Sequence, residues 1–243
     1  PVNWGKNPPA KPRFLGTKVF DPYPIAELVD YIDWTPFFTS WQLRGKFPDI
    51  LSDKIVGEEA TKLYEDARAM LARIVEENWL QARAVIGLFP ANTVGEDDVE
   101  LYTDEDRSGI LANLHFLRQQ QKKAPGRPNL CLTDYLHPLE SPDSPVDYLG
   151  AFAVTAGIGI EEHVRRFEQQ HDDYNAILLK ALADRLAEAL AERMHQRVRS
   201  EFWAYAPEEA LDNEQLIRER YQGIRPAPGY PACPEHTEKA TLF

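Results

Sequence analysis

The feature that most constrains the fold is a long amphipathic helix, which we predict from Asp173 to about Phe202. Apolar side chains recur there at steps of three and four residues, so they share one side of a helix. The members of this apolar stripe are Ile177, Ala181, Leu182, Leu186, Leu190, Met194 and Val198. Asp172 or Asp173 is expected to cap the start, where the helix dipole favours an anion. The stripe has to be buried against another layer of secondary structure.

That second layer is predicted to be a sheet. Segments rich in β-branched and apolar residues predict strands at residues 83–89, 99–102, 110–116, 129–136 and 147–155. The polar turn at residues 94–98 joins the first two strands into a hairpin. Shorter helices are predicted at residues 25–31, 57–78, 160–170 and 213–221, with Asn213 as a cap and a further helix start at Pro234. Strands and helices do not alternate strictly, so the predicted class is α+β, a mainly antiparallel twisted sheet flanked by helices.

The first 24 residues differ in composition from the rest. They contain Pro8, Pro9, Pro12, Pro22 and Pro24 and show neither helical nor strand periodicity. We therefore predict an extended N-terminal arm or linker over residues 1–24, packed over a single domain that spans residues 25–243.

Charge and cysteine content limit the classes of partner. The 243 residues carry 39 acidic against 27 basic side chains, a formal net charge of −12. This surplus of acid argues against general binding to nucleic acid or to an anionic membrane. Cys131 and Cys233 are the only cysteines and lack C-x-x-C spacing, so they suggest neither a zinc site nor a disulfide framework. With no recognisable signal peptide or membrane-spanning apolar run, a reducing cytoplasm is the expected compartment.

The segment from Gln222 to Pro234 is a proline-rich ribbon. Its four prolines fix φ and remove N–H donors, so the ribbon can form neither a helix interior nor a central strand. Gly229 allows a backbone conformation, or a close approach to a ligand, that a Cβ would block. Two functions fit such a segment. It is either a rigid connector after a helix, or a preorganised loop that presents Arg225 and Tyr230 to a ligand at little entropic cost.

Asp33 is the lone acid in an aromatic stretch, DWTPFFTSW, at residues 33–41. One interpretation is an aromatic core plug in which Asp33 caps a helix or turn. The other is a carboxylate beside aromatic walls, suited to a cationic group of a ligand. The spacing of the residues leaves both open.

The sequence carries no recognisable catalytic motif. It has no G-x-S-x-G, H-E-x-x-H or P-loop pattern, and the acids beside His171 are explained by a helix start without a metal. One ligand class would use the polar residues that are present, namely a zwitterionic amino acid with an extra positive charge. Arg225 offers bidentate geometry to a carboxylate. An ammonium or sulfonium could be met by Asp33, Glu188 or Glu219.

Several segments resemble one known family. Residues 221–239, YQGIRPAPGYPACPEHTEK, closely resemble the S-adenosylmethionine-binding signature of the C-terminal activation domain of cobalamin-dependent methionine synthase. Other segments resemble the same family in the same order: YIDWTPFF at 31–38, GLFPAN at 87–92, LRQQ at 117–120, DYLGAFAVT at 147–155, QHDDYN at 170–175 and KALADRLAE at 180–188. Together they are spread over most of the chain after the first two dozen residues.

The resemblance implies a role in reactivating the parent enzyme, 5-methyltetrahydrofolate–homocysteine methyltransferase. When its cobalamin oxidises to cob(II)alamin, the activation domain presents S-adenosylmethionine while flavodoxin or another reductase supplies an electron, and methylcobalamin is restored. No catalytic residue is expected in this domain, because reduced cobalt is the nucleophile and a neutral thioether is the leaving group. Binding and orientation are then its whole contribution.

The resemblance also implies the binding residues. Asp33 is expected to pair with the ammonium of S-adenosylmethionine and Arg225 with its carboxylate. The wall around the nucleoside would be formed by Ala227, Gly229 and Tyr230. Two further acids are expected near the site, Glu188 and Glu219.

The sequence departs from the complete enzyme in two respects. It lacks the D-x-H-x-x-G cobalamin motif and the zinc-binding cysteines of the homocysteine domain, so the cobalamin, zinc and folate sites are expected in other domains of the parent enzyme. The family domain also continues beyond the position of Phe243, so the chain is expected to be truncated at its C-terminal end.

An alternative function is a docking module that binds the cobalamin domain or flavodoxin without a small molecule. Because flavodoxins are typically acidic, such a module would need a basic face. The candidate residues for that face are Arg165, Arg166, Arg193, Arg197 and Arg199.

Overall fold

The computed structural model describes residue 4 and residues 8–242, so most of the first seven residues of the predicted arm lie outside the described part. The five strands are β1 (Gly16–Tyr23), β2 (Gln81–Val94), β3 (Asp98–Tyr102), β4 (Ile110–His115) and β5 (Asp147–Ile158). The α-helices are α1 (Trp34–Ser40), α2 (Gly57–Glu76), α3 (Ile160–Gln169), α4 (Asp173–Arg197), α5 (Asn213–Ile217) and α6 (Lys239–Leu242). Short 3-10 helices occupy Ile25–Tyr31, Asp49–Ser52 and Leu132–Tyr135, and a π-helical segment, Val198–Phe202, continues α4. The predicted α+β class is confirmed.

All strand pairs are antiparallel, and β2 is the central strand. One edge of β2 pairs with β5 along almost its whole length, from Gln81 opposite Ile158 to Ala91 opposite Asp147. The other edge pairs first with β1 and then with β3, and β4 completes the sheet beside β3. The predicted hairpin between β2 and β3 is confirmed. The strand predicted to end at residue 89 continues through Pro90 to Val94, because β5 and β3 supply it with partners on both edges.

The long helix lies across this sheet. It packs against β5, α3 and the 3-10 helix Ile25–Tyr31, and Asp172 caps it by accepting a hydrogen bond from the Asn175 N–H at 3.0 Å. Together with the π-helical segment, α4 covers the predicted range 173–202. From Leu182 onward the predicted apolar stripe is buried, whereas Ile177 at the start of the helix is 53% exposed. Among the helices of the described residues, each is too short or too polar to span a lipid bilayer.

Part of the predicted arm is a strand. Residues 16–23 form β1, which pairs with β2 over Thr17 to Phe20. Most of its side chains are exposed, including Val19 at 67%, so the apolar alternation that marks a half-buried strand is missing. Backbone pairing with β2 therefore creates this strand, which single-segment patterns do not reveal. The residues before it do pack over the body, since Arg13 N–H donates to the Phe202 carbonyl at 3.0 Å.

The strand predicted at residues 129–136 is wrong. That segment contains a 3-10 helix, Leu132–Tyr135, because Asp134 turns the backbone locally. The Asp134 carboxylate accepts the Cys131 N–H at 2.8 Å and pairs with Arg118 at 2.7 Å. Such a local side-chain bond replaces the ladder bond that a strand would make.

Two predicted helices near the C-terminal end are shorter than expected. Asp212, and not Asn213, caps α5 in a reciprocal capping box with Gln215. The helix stops well before residue 221 because Glu219 adopts a left-handed φ of 52°. The last helix begins at Lys239, five residues after the predicted start at Pro234.

Candidate functional site

A cleft of about 170 Å³ opens between α4 and the segment that follows α5. Its wall is formed by Tyr31, Asp33, Glu188, Glu192, Leu216, Ile217, Glu219 and Arg225. Four residues singled out from the sequence therefore lie together: Asp33, Glu188, Glu219 and Arg225. They come from three separate parts of the chain, and the packing of α4 against its neighbours brings them to one place.

Asp33 holds a structural position as well as a place in the cleft. It is the N-cap of α1, and its Oδ1 accepts the Thr35 N–H at 3.0 Å. Within the described residues its Oδ2 makes no hydrogen bond, so this oxygen can serve a ligand. The two interpretations of Asp33 from the sequence are therefore compatible with each other.

Helix α4 contributes two acids on one face. Glu188 and Glu192 are one helical turn apart, which directs both side chains toward the same neighbour. Glu192 is buried, with 7% of its surface exposed, and Glu188 is exposed. Sequence reasoning missed Glu192, although its spacing of four residues from Glu188 is a signal that points to it.

Arg225 reaches both acids from the ribbon. Its Nη2 donates to Glu192 Oε2 at 2.7 Å, and its Nη1 lies 3.6 Å from Glu188 Oε1. Arg225 Nε and Glu192 Oε1 are buried without a hydrogen-bond partner in the described structure. The arginine is therefore held mainly by one buried carboxylate and retains unused donors.

The cleft is strongly acidic. Four carboxylates and one guanidinium line it, a formal charge of −3. Burial raises the pKa of Glu192, and the charge of Arg225 opposes that shift. Burial would lower the pKa of Arg225, but Glu192, Tyr221 and Glu188 outweigh it and raise the pKa. Such a site favours a ligand with a net positive charge and a carboxylate for Arg225.

The second half of the ribbon is a compact turn and not an extended segment. Tyr230 N–H donates to the Ala227 carbonyl at 3.0 Å, and Gly229 N–H donates to the Cys233 carbonyl at 2.7 Å. Gly229 has a φ of 106°, and a Cβ there would overlap the imidazole of His236. The glycine is therefore required by both backbone and neighbour.

Three of the predicted binding residues lie on this turn, outside the described lining of the cleft: Ala227, Gly229 and Tyr230. They follow Arg225 by two to five residues, and Tyr230 is 63% exposed. Buried Cys233 fastens the turn to a small apolar cluster under β2, β3 and β4. The turn is thus held in place by its own hydrogen bonds and by this cluster.

A buried arginine, Arg199, joins the end of the long helix to the segment that leads to the ribbon. Arg199 is fully buried in the π-helical segment and pairs with Glu209, with Nε–Oε2 at 2.8 Å and Nη2–Oε1 at 2.6 Å. Its Nη1 lies 2.7 Å from His195 Nδ1, and its guanidinium lies 4.1 Å from the centre of the Tyr221 ring. π-Helical segments of this kind are frequent near functional sites.

The proposed basic docking face is largely absent as a free surface. Arg199 is buried, and Arg197 is bound to Glu201 at 2.8 Å and lies over the Phe20 and Phe202 rings. Arg193 donates to Gln196 at 2.9 Å. Of the five arginines, Arg165 and Arg166 on α3 are exposed. The docking alternative therefore loses most of the residues on which it was based.

Within the described residues, no group of three or more His, Cys, Asp or Glu side chains is arranged to hold a metal ion.

Two comparisons with known proteins identify relatives of this chain. The family model for the activation domain of vitamin B12-dependent methionine synthase matches residues 24–243. A crystal structure of the MetH reactivation domain bound to AdoHcy has 54% sequence identity and a TM-score of 0.93, with the match covering 100% of this chain and 73% of that chain. The resemblance stated from the sequence is thereby confirmed. The chain belongs to the family of activation domains of vitamin B12-dependent methionine synthase.

Proposed function

We propose that this domain binds S-adenosylmethionine in the acidic cleft and presents its methyl group for the reductive methylation of cob(II)alamin to methylcobalamin. The observation that carries the proposal is the charge pattern of the cleft, four carboxylates around one arginine. S-adenosylmethionine has a matching pattern, a sulfonium and an ammonium beside one carboxylate. The related reactivation domain, 54% identical, is bound to AdoHcy, the demethylated form of the same ligand.

In this proposal the polar groups divide between the two ends of the amino-acid moiety. Arg225 receives the carboxylate through Nη1, which lies 3.6 Å from Glu188 Oε1 and makes no hydrogen bond in the described structure. Asp33 receives the ammonium through Oδ2. Glu188 and Glu219 stabilise the remaining positive charge, and the turn with Ala227, Gly229 and Tyr230 borders the nucleoside.

The chemistry needs binding and orientation from this chain. Cobalamin, which would be held by another domain of the parent methyltransferase, would accept the methyl group after a reductase had supplied one electron to cob(II)alamin, and S-adenosylhomocysteine would be the leaving group. Since the leaving group is a neutral thioether, no side chain has to donate or remove a proton. An exposed cleft is suited to this task, because the methyl group has to face a separate domain.

The proposal also includes the partners of the parent enzyme. They are the cobalamin-binding domain, which must approach the cleft, and flavodoxin or an equivalent reductase. A reducing cytoplasm is compatible with Cys131 and Cys233, both of which are free and buried.

Calorimetric titration with S-adenosylmethionine tests the proposal. The wild-type domain should bind, and Arg225→Ala should lose about 1.5–3 kcal/mol of binding free energy, because a charge-assisted pair with the carboxylate is removed. Arg218→Ala is the matched control, since Arg218 is exposed, pairs with Glu214 and lies outside the cleft lining. A folded wild-type sample that gives no heat, or equal affinities for both variants, would contradict the proposal.

A further inference from the structure

We propose that Glu192 is a positioning residue that sets Arg225 for the ligand carboxylate, whereas Glu188 is an exchangeable partner that yields to the ligand. This inference rests on the proposed function of the cleft. It assigns different roles to two acids that sit one turn apart on α4 and both contact the same guanidinium.

The position of Glu192 is rigid. Its side chain is 9% exposed, and its neighbours on α4, Ala189, Leu190 and Met194, are at most 2% exposed. A carboxylate on a helix face that is anchored by core residues has little freedom to follow a ligand. Its Oε2 lies 2.7 Å from Arg225 Nη2, which is the length of a charge-assisted hydrogen bond.

Glu188 has the opposite properties. Its side chain is 55% exposed, and its Oε1 lies 3.6 Å from Arg225 Nη1, beyond hydrogen-bond distance. An exposed ion pair of this kind contributes at most about 1 kcal/mol, so a ligand carboxylate can take its place. The Nη1 edge of Arg225 is therefore the edge at which the ligand would bind.

Arg225 needs such an anchor. Its side chain is 20% exposed, and it lies in a stretch of the ribbon, residues 224–227, that forms neither helix nor strand in the described structure. Without the charge on Glu192, the flexible guanidinium would turn toward Glu188 and solvent. The ligand would then have to restore the productive rotamer at its own entropic cost.

The competing possibility is that Glu192 blocks the arginine. A negative charge beside Arg225 could compete with the ligand carboxylate, in which case neutralising Glu192 would tighten binding. The two roles predict opposite changes in affinity, so one substitution separates them.

The test is calorimetric titration of wild type and Glu192→Gln with three ligands. S-adenosylmethionine and S-adenosylhomocysteine carry the carboxylate, and methylthioadenosine lacks the whole amino-acid moiety. We expect Glu192→Gln to bind S-adenosylmethionine and S-adenosylhomocysteine about fivefold more weakly than wild type, because a charge-assisted hydrogen bond to Arg225 becomes a neutral one. The affinity for methylthioadenosine should be unchanged. A general loss of structure would weaken all three. Glu201→Gln is the matched control, because Glu201 pairs with Arg197 outside the cleft lining.

A double-mutant cycle with Arg225→Ala gives a second readout. If Glu192 acts through Arg225, adding Glu192→Gln to Arg225→Ala should weaken S-adenosylmethionine binding by less than twofold further. Three results would overturn the positioning role. They are tighter or unchanged binding of S-adenosylmethionine in Glu192→Gln, fully additive effects of the two substitutions in the cycle, and equal losses of affinity for all three ligands. If Arg225→Ala nevertheless weakens binding, the proposed function stands. A wild-type domain that binds neither S-adenosylmethionine nor its homocysteine analogue would instead overturn the proposed function.

Discussion

Substitution of Glu209 by glutamine tests how the end of the long helix is joined to the segment that leads to Arg225. Glu209 is the only carboxylate paired with Arg199 in the described structure, and their side chains are 6% and 0% exposed. Two short hydrogen bonds join them, Nε–Oε2 at 2.8 Å and Nη2–Oε1 at 2.6 Å, with a longer one from Nε to Oε1 at 3.2 Å. Glutamine keeps the shape of the side chain. Its amide oxygen can accept one hydrogen bond from Arg199, but its NH₂ group faces an N–H donor of Arg199 at the other position.

The expected cost follows from burial. Removing one member of a buried ion pair leaves an uncompensated charge in a low-dielectric site, which typically costs about 3–5 kcal/mol. We expect Glu209→Gln to lie near the lower end, at about 3 kcal/mol, because one hydrogen bond survives. The other groups in contact with the guanidinium, His195 Nδ1 and the Tyr221 ring, are uncharged acceptors. Glu192 interacts with Arg199 through its charge but makes no hydrogen bond to it in the described structure, so it replaces the lost carboxylate only in part.

Urea unfolding followed by circular dichroism measures this cost. Glu209→Gln should lower the midpoint at an unchanged m-value, whereas the exposed neighbour Glu208→Gln should stay within about 0.5 kcal/mol of wild type. The double variant Arg199→Met with Glu209→Leu should regain most of the loss, because the unpaired charge is removed together with its partner. A loss below about 1 kcal/mol for Glu209→Gln would refute the reasoning and mean that Arg199 is hydrated or finds another partner.

Two further predictions concern Asp33 and His195. Asp33→Asn should keep the free energy of unfolding within about 0.5 kcal/mol of wild type, since asparagine caps helices as well as aspartate. It should lose about 1–2 kcal/mol of S-adenosylmethionine binding free energy, because the negative charge is removed. Chemical unfolding and calorimetry on the same sample measure both quantities, and a loss of stability with unchanged binding would leave Asp33 only its capping role. Burial, assisted by the charges of Arg199 and Arg225, lowers the pKa of His195 to about 3 from 6.5. Below pH 6.5 His195 is therefore protonated in the unfolded chain but neutral in the folded chain. The free energy of unfolding should fall by about 1.4 kcal/mol per pH unit as the pH drops toward 4. His195→Asn, which keeps an acceptor for Arg199, should remove this component, and parallel stability curves for the two proteins between pH 6.5 and 4.5 would contradict it.

The parts of the fold that local sequence patterns predicted are those in which a segment's own periodicity is decisive. The stripe from Leu182 to Val198 and the polar turn at residues 94–98 match the observed α4 and the β2–β3 hairpin. Helical spacing and turn chemistry operate within a few residues, so they can be read without knowledge of the neighbours.

Elements that depend on distant partners were missed. Strand β1 has mostly exposed side chains and exists through pairing with β2, about sixty to seventy residues later in the chain. The segment 129–136 has the apolar content of a strand, yet Asp134 turns it into a 3-10 helix by accepting the Cys131 N–H, and Arg118, from outside the segment, pairs with the same carboxylate. The apolar pattern of the segment reveals neither contact.

The candidate site shows the same division. The sequence alone determined which residue types are available to a methyl-donor ligand, Arg225 and the acids Asp33, Glu188 and Glu219, and through family resemblance which ligand to expect. The packed structure is needed to see that Glu192 is buried against Arg225 while Glu188 is exposed, and that Arg199 is a core residue and not a docking surface. The physical reason is that burial and pairing depend on which elements cover a helix face, and that is decided by packing between segments far apart in the chain.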